Sequence, residues 1–231
     1  MRASDFEFRN RFWVIAGLFF VAFGCYTVDH RNAAQMFARL LGQDTRLGVQ
    51  FVFGIGALLA FLAAWIRTWA SAYLHTSVVK DVRLHSDRLV ADGPYRHLRN
   101  PLYFGTVLLG LSFGLMASPT GFVVLVVGLT YFVLRLIARE EAELETAQGA
   151  AYRRYVRAVP GLVPAFGPRV EASGSRPEWR QAFMGESMMW IFALGCLLFA
   201  FTLNQWILYS FVVAGFIGYF PVRRISKRVT S

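Results

Sequence analysis

Four stretches of this chain carry no charged residue: Phe12–Val28, Leu47–Ile66, Leu102–Leu134 and Ser187–Val222. No water-soluble core needs runs of that length, whereas the hydrocarbon layer of a bilayer needs about 20 apolar residues per helical span. The last two runs are far longer than one span, and each has a polar or turn-forming break near its middle. "ASPTG" at 117–121 places Pro119 and Gly121 where a hairpin would turn. "TLNQ" at 202–205 is the polar interruption in its run. The reading is therefore six transmembrane helices in an all-α, multi-pass membrane protein. It forms one integral membrane domain over 1–231, with an additional C-terminal helical hairpin at 188–222. The first run lacks a small-residue cleavage site after Val28 and reads as a span rather than a removable leader.

Charge then orients the chain. Only 16% of residues are charged, against about 25% in ordinary soluble domains. Six spans would put 1–11, 67–101, 135–186 and 223–231 on one side of the membrane. Of the 24 Lys and Arg, only Arg31, Arg39 and Arg46 would fall on the other side. Positive residues stay cytoplasmic in membrane proteins, so both termini are expected there. The same bias accounts for the net charge of +10 without a nucleic-acid partner. Cys25 and Cys196 both lie in apolar runs and suggest neither a disulfide nor a metal site. No charge falls inside a predicted span except Arg135 near an end, which counts against ion-coupled transport.

The chemistry-bearing residues gather at one membrane face. "DGPYRHLRNPLYFG" at 92–105 brings Tyr95, Arg96, His97 and Arg99 to the start of the third span. "AREEAELETAQGAAYRRYVRAVPGLVP" at 138–164 leaves the fourth span with Arg139, Glu140 and Glu141, just after Arg135. It reads as a helix that continues the span outward and stops before Pro160. Because 102–138 is a hairpin, both ends lie on the same side, so cationic and aromatic groups face a pair of carboxylates. A salt-bridge clasp over the hairpin is one reading of this arrangement. A cup for a small zwitterion is the other: carboxylates for an ammonium, arginine for a carboxylate, aromatic faces for a sulfonium or an adenine. The segment "TSVVKDVRLHSDRLVADG" at 76–93 reads as an irregular or short-stranded loop, and 166–187 as a surface linker.

The two motifs together resemble the isoprenylcysteine carboxyl methyltransferase and phospholipid methyltransferase superfamily. Its first signature is G-x-Y-x-x-x-R-[HN]-P-x-Y-x-G. The second is E-E-x-x-L-x-x-x-F-G-x-x-Y-x-x-Y, followed by a proline. The resemblance spans about 85–166, with Gln148 standing where the family has Phe. It implies a membrane methyltransferase that uses S-adenosyl-L-methionine at a cytoplasmic-face pocket. By position it implies cofactor contacts from Leu89, Val90, Tyr95, His97, Arg99, Asn100, Pro101, Leu102, Tyr103, Glu140 and Glu141. It also implies an arginine near the glutamates that grips the acceptor; both Arg135 and Arg139 are candidates, with Glu140 completing the catalytic set. The acceptor is expected to be lipophilic, an isoprenylcysteine-like carboxylate first and a phospholipid amine second. A steroid-reductase-like enzyme using NADPH shares this kind of membrane core and is the alternative. A carboxylate acceptor is already ionised and needs only orienting; an amine arrives protonated and needs a base such as Glu140, Glu141 or His97.

Overall fold

The computed structural model describes the backbone of residues 1–83 and 91–229, and side chains over 1–74 and 91–218. Among the described residues it is entirely helical. Helices α1 (Asp5–Arg9), α2 (Arg11–Gly24), α3 (Tyr26–Asp29) and α4 (Ala33–Leu40) lead into the long α5 (Arg46–Arg83). A 3₁₀ turn at Gly93–Arg96 precedes α6 (Pro101–Met116) and the long α7 (Pro119–Ala158). Helices α8 (Trp179–Gly185), α9 (Ser187–Thr202) and α10 (Gln205–Val229) complete the chain.

Both expected hairpin breaks are present, and local chemistry explains where they fall. Ala117 and Ser118 are extended between α6 and α7. The Ser118 hydroxyl accepts from the Gly121 amide at 3.1 Å, and Pro119 occupies the first helical turn, where its missing N–H costs nothing. Asp29, from the end of α3, adds a second cap by accepting from the Thr120 amide and hydroxyl. Leu203, in the left-handed region, and Asn204 separate α9 from α10.

Three helical segments are long and apolar enough to cross a membrane: Arg11–Asp29, Arg46–Leu74 and Pro119–Ala158. Helices α8 and α9, bent by 62° at their junction, supply a fourth if taken as one span. Among the described residues the apolar helices Pro101–Met116 and Gln205–Gly218 are shorter, so three or four of the six expected spans meet that test by length and composition. Large apolar side chains such as Phe20, Phe51, Leu58, Val123 and Val127 point outward, as a lipid-facing surface requires. Alanine lines much of the interior of α5, at Ala57, Ala60, Ala63 and Ala64, which lets the helices around it approach closely.

Two regions depart from their expected conformations. The segment from Thr76 is helical as far as Arg83, because α5 continues well beyond its apolar part; the remainder of that expected loop, 84–90, lies outside the described residues. The 166–187 linker is more than a surface tether. Backbone bonds tie Ala165 to His97 and Arg169 to Arg96 in the motif turn, and Glu178 to Ala72 on α5, so the irregular segment is strapped to both before α8 begins.

Candidate active site

Asn100 stands at the N-cap of α6, yet its side chain does not cap that helix. Its amide donates instead to Glu141 Oε1 at 2.9 Å and to the Gly161 carbonyl at 3.0 Å. Arg99 beside it sends Nε and Nη2 to the two oxygens of Glu141, at 2.9 and 3.2 Å. Its Nη1 donates to the carbonyls of Val156 and Val159, at 2.9 and 2.7 Å. Those carbonyls belong to the last turn of α7 and its C-cap, where backbone acceptors lack helical partners and a cation is favoured. Glu141 is thereby held by a bidentate arginine and an amide, and the end of α7 is tied back onto the start of α6. The clasp anticipated between motif and glutamates exists, and it is built from Arg99, Asn100 and Glu141.

Glu140, its neighbour, points elsewhere. Among the described residues its one hydrogen bond comes from the Tyr103 hydroxyl, at 2.8 Å, and no cation lies within ion-pair distance of it. Tyr103 is positioned by the first turn of α6, which Pro101 opens. Tyr95 lies in the 3₁₀ turn that Gly93 starts with φ of 57°, a backbone that glycine adopts without penalty. Its backbone carbonyl accepts from the Tyr155 hydroxyl at 2.8 Å. Burial holds the Tyr95 hydroxyl well above its ordinary pKa, with Arg67 opposing that shift and Glu186 and Glu140 adding to it. Tyr95 is therefore a neutral group in the shared field of these three charges.

The turn is braced from its outer side. His97 Nδ1 lies 3.2 Å from the Ala165 carbonyl, and its ring tilts against Trp69. Asp92 accepts from the backbone and hydroxyl of Ser173 and from the amide of Ser175. Burial raises its pKa, but these hydrogen bonds together outweigh burial and hold it below the ordinary aspartate value.

Arg135 and Arg139 face away from this cluster, towards the N-terminal helix. Arg135 Nη1 and Nη2 reach the two oxygens of Glu7 at 2.6 and 2.9 Å, while its buried Nε finds no acceptor. Arg139 pairs with Asp5 at 2.7 Å and with Glu143, one turn on, at 2.9 Å. The Phe8 ring lies under both Arg11 and Arg139, each 4.7 Å from its centroid. Of the residues expected at the site, Tyr95, Arg99, Asn100, Pro101, Leu102, Tyr103, Glu140 and Glu141 come together. Leu89 and Val90 lie outside the described residues.

Sequence reasoning overlooks a second polar cluster on the inner side of the motif. Arg67, directly after the apolar part of α5, donates through Nε and Nη2 to Glu186 at 2.8 and 3.2 Å. Its Nη1 donates to the Leu102 carbonyl at 3.0 Å and the Thr106 hydroxyl at 2.9 Å. Ser71 adds a third donor to Glu186, at 2.8 Å. The one available signal is that Arg67 and Glu186 each border an uncharged run. Nothing in the spacing pairs two residues so distant in the chain.

Comparison with known proteins adds one match. Residues 51–150 match the model of the phospholipid methyltransferase family. Among curated proteins and solved structures, none matches the chain. The family match takes in most of α5, the motif turn, α6 and α7 as far as Ala150, and so includes Arg67, Tyr95, Arg99, Tyr103, Glu140 and Glu141. Through this segment the chain is similar to the phospholipid methyltransferase family, in keeping with the superfamily of membrane methyltransferases that its two motifs resemble.

Proposed function

We propose that the protein transfers a methyl group from S-adenosyl-L-methionine to a lipophilic acceptor at the membrane surface, and that the acceptor atom is a phospholipid-type amine nitrogen. The observation that carries this reading is Glu140: a half-buried carboxylate with a tyrosine hydroxyl as its hydrogen-bond partner, beside a neighbour already engaged by Arg99 and Asn100. The residues present suit a sulfonium cofactor. Tyr95 and Tyr103 offer aromatic faces, and Glu140 offers negative charge to a cation. When bound, that cofactor supplies an electrophilic methyl group on positively charged sulfur.

What the protein adds is position and a proton acceptor. A protonated amine cannot attack, since its lone pair is used. Glu140 would take the N–H proton and become a carboxylic acid, freeing the nitrogen lone pair for the methyl group, whose bond to sulfur would break with its electron pair left on the neutral thioether. Tyr103 fixes the orientation of the carboxylate meanwhile. Arg99 and Asn100 do not need to touch either substrate, because they hold the floor of the site through Glu141 and Gly161.

A carboxylate acceptor of the isoprenylcysteine type is the second reading, favoured by two arginines, Arg135 and Arg139, that neighbour Glu140 in the sequence. It requires that α1 give up Arg135 or Arg139, since Glu7 and Asp5 now occupy them. Methyl transfer from labelled S-adenosyl-L-methionine, offered in parallel to phospholipids with primary amine headgroups and to prenylcysteine analogues, decides between them. Label in the phospholipid fraction supports the amine reading, and label in a base-labile ester supports the carboxylate reading. Binding of NADPH with no binding of S-adenosyl-L-methionine would overturn both.

A further inference from the structure

The family match ends at Ala150, leaving α8, α9 and α10 without an assigned role. Yet one residue of this C-terminal part reaches the centre of the molecule. Glu186 sits at the 62° bend between α8 and α9, is 8% exposed, and accepts from both Arg67 and Ser71 on α5. A carboxylate buried at that depth is expensive unless it is fully partnered. Three hydrogen bonds from two side chains supply the partnership.

What Arg67 does with its remaining donors gives the arrangement meaning. The same guanidinium that holds Glu186 bonds to the Leu102 carbonyl and to the Thr106 hydroxyl. These two groups bracket Tyr103 in the first turn of α6. Room for the arginine is built into the sequence: at Gly105 an added Cβ would lie 2.5 Å from Arg67 Cγ and 3.1 Å from the Ala63 carbonyl. A side chain there would push the guanidinium off α6. The planar fork also fixes direction, because a guanidinium locked onto Glu186 along one edge must present its other edge to Leu102 and Thr106.

We propose that Glu186 is a positioning residue for the methyl-transfer site: it orients Arg67, Arg67 sets the first turn of α6, and that turn holds the Tyr103 hydroxyl against Glu140. The proposal rests on the Glu140 site described above. It assigns the C-terminal hairpin a part in catalysis that the matched family segment does not contain. Glu186 touches neither substrate; it acts through Arg67 alone.

The test compares wild type with Glu186→Gln and Arg67→Lys in the full-length protein in detergent micelles or nanodiscs. Glutamine is isosteric but places an N–H donor against the guanidinium. Lysine keeps the charge for Glu186 but has no fork to serve α6 at the same time. Both variants are expected to bind S-adenosyl-L-methionine in amounts near wild type. The kcat for methyl transfer should fall about 10- to 100-fold per bound cofactor, with the acceptor KM changed less than about twofold. Backbone amides over 102–106 should exchange hydrogen faster in both variants. A purely structural clasp would lower the melting temperature and leave the kcat of the folded fraction intact, and that result overturns the proposal. So does unchanged exchange over 102–106. If Glu186→Gln does not fold, Arg67→Lys carries both measurements. If wild type itself shows no methyl transfer, the functional reading fails, while the exchange measurement still decides whether Glu186 sets the α6 turn.

Discussion

Two regions pair arginines of this chain with carboxylates, and they differ in kind. Beneath the motif, Arg99 and Glu141 are mostly shielded, with side-chain exposures of 14% and 21%, and join segments far apart in sequence. At the N-terminus, Arg139 meets Asp5 and Glu143, which are 84% and 56% exposed. The clasp engages the Val156 and Val159 carbonyls at the end of α7. The N-terminal latch is mixed: Arg139 meets partners on a wet surface, while Arg135 and Glu7 beside it are 20% and 24% exposed. Identical residue types therefore do unlike work: one set joins the end of α7 to the motif turn, and the other ties α1 to the side of α7.

The sharpest way to break the comparison is at Arg99. Arg99→Ala strips Glu141 of its bidentate partner and frees two carbonyls at the end of α7. Removing one member of a shielded pair costs about 3–5 kcal/mol, so a large drop in melting temperature and loss of cofactor binding are expected. Arg139→Ala, whose partners Asp5 and Glu143 are exposed, should by contrast leave the melting temperature close to wild type. Comparable losses in the two variants would abolish the distinction between clasp and latch.

A second comparison lies between adjacent glutamates. Glu140→Gln keeps the shape and the Tyr103 contact but cannot take a proton. Methyl transfer should fall about 100-fold or more with stability nearly unchanged. Glu141→Gln should do the reverse, lowering stability first and activity only as the motif turn loosens. Measuring kcat and thermal unfolding of both in one detergent settles which glutamate faces the reaction. Equal kcat losses with equal stability would dissolve the assignment of Glu140 as the base.

Gly149 offers a smaller effect of a different origin. It interrupts α7 with φ of 55° and ψ of −122°, a conformation essentially restricted to glycine, although an added Cβ would meet no atom within 4 Å. The strain in Gly149→Ala is therefore one of backbone alone, and about 1–3 kcal/mol is expected. Past this kink Tyr152 and Tyr155 turn in to pack with Ala91 and Val159, and Tyr155 reaches Tyr95. Loss of stability should thus be accompanied by faster hydrogen exchange around 93–97.

How much of this was legible follows from what sequence patterns encode. The hairpin of α6 and α7, the outward extension of α7 to the residue before Val159, and the meeting of Arg99 with Glu141 all follow from local signals and from the closure of one hairpin. Six apolar segments were visible too, but charge-free length alone cannot say that α6 stops at Met116 or that α8 and α9 meet at a bend. The spacing of Arg135 and Arg139 from the glutamates gave no hint that Glu7 and Asp5 would cover them. Arg67 and Glu186 were hidden for the same reason: their pairing is a product of how α9 packs on α5, and no periodicity within either helix reports it.

The smallest expected effect concerns the latch itself. Glu7 is held below the ordinary glutamate pKa, first by the backbone and hydroxyl of Ser4 in a capping box, with Arg135 adding to the shift against the opposing effect of burial. A carboxylate whose pKa is depressed on folding contributes stability above its unfolded value, and that contribution is lost as pH falls through the folded one. Asp5, Arg135, Arg139 and Glu143 are the other charges facing this helix. The latch should therefore be unchanged from neutrality down to about pH 5 and loosen from about pH 4 downward. Hydrogen exchange over residues 3–10 would report it, while protection beneath the motif clasp stays constant over the upper part of that range. Glu7→Gln should show weakened protection already at neutral pH and a flatter response to acid. Added salt should weaken the exposed Asp5 contact more than the shielded Arg99–Glu141 pair. If both regions loosen in step with acid and with salt, the N-terminal helix is part of the clasp, and the two regions are one.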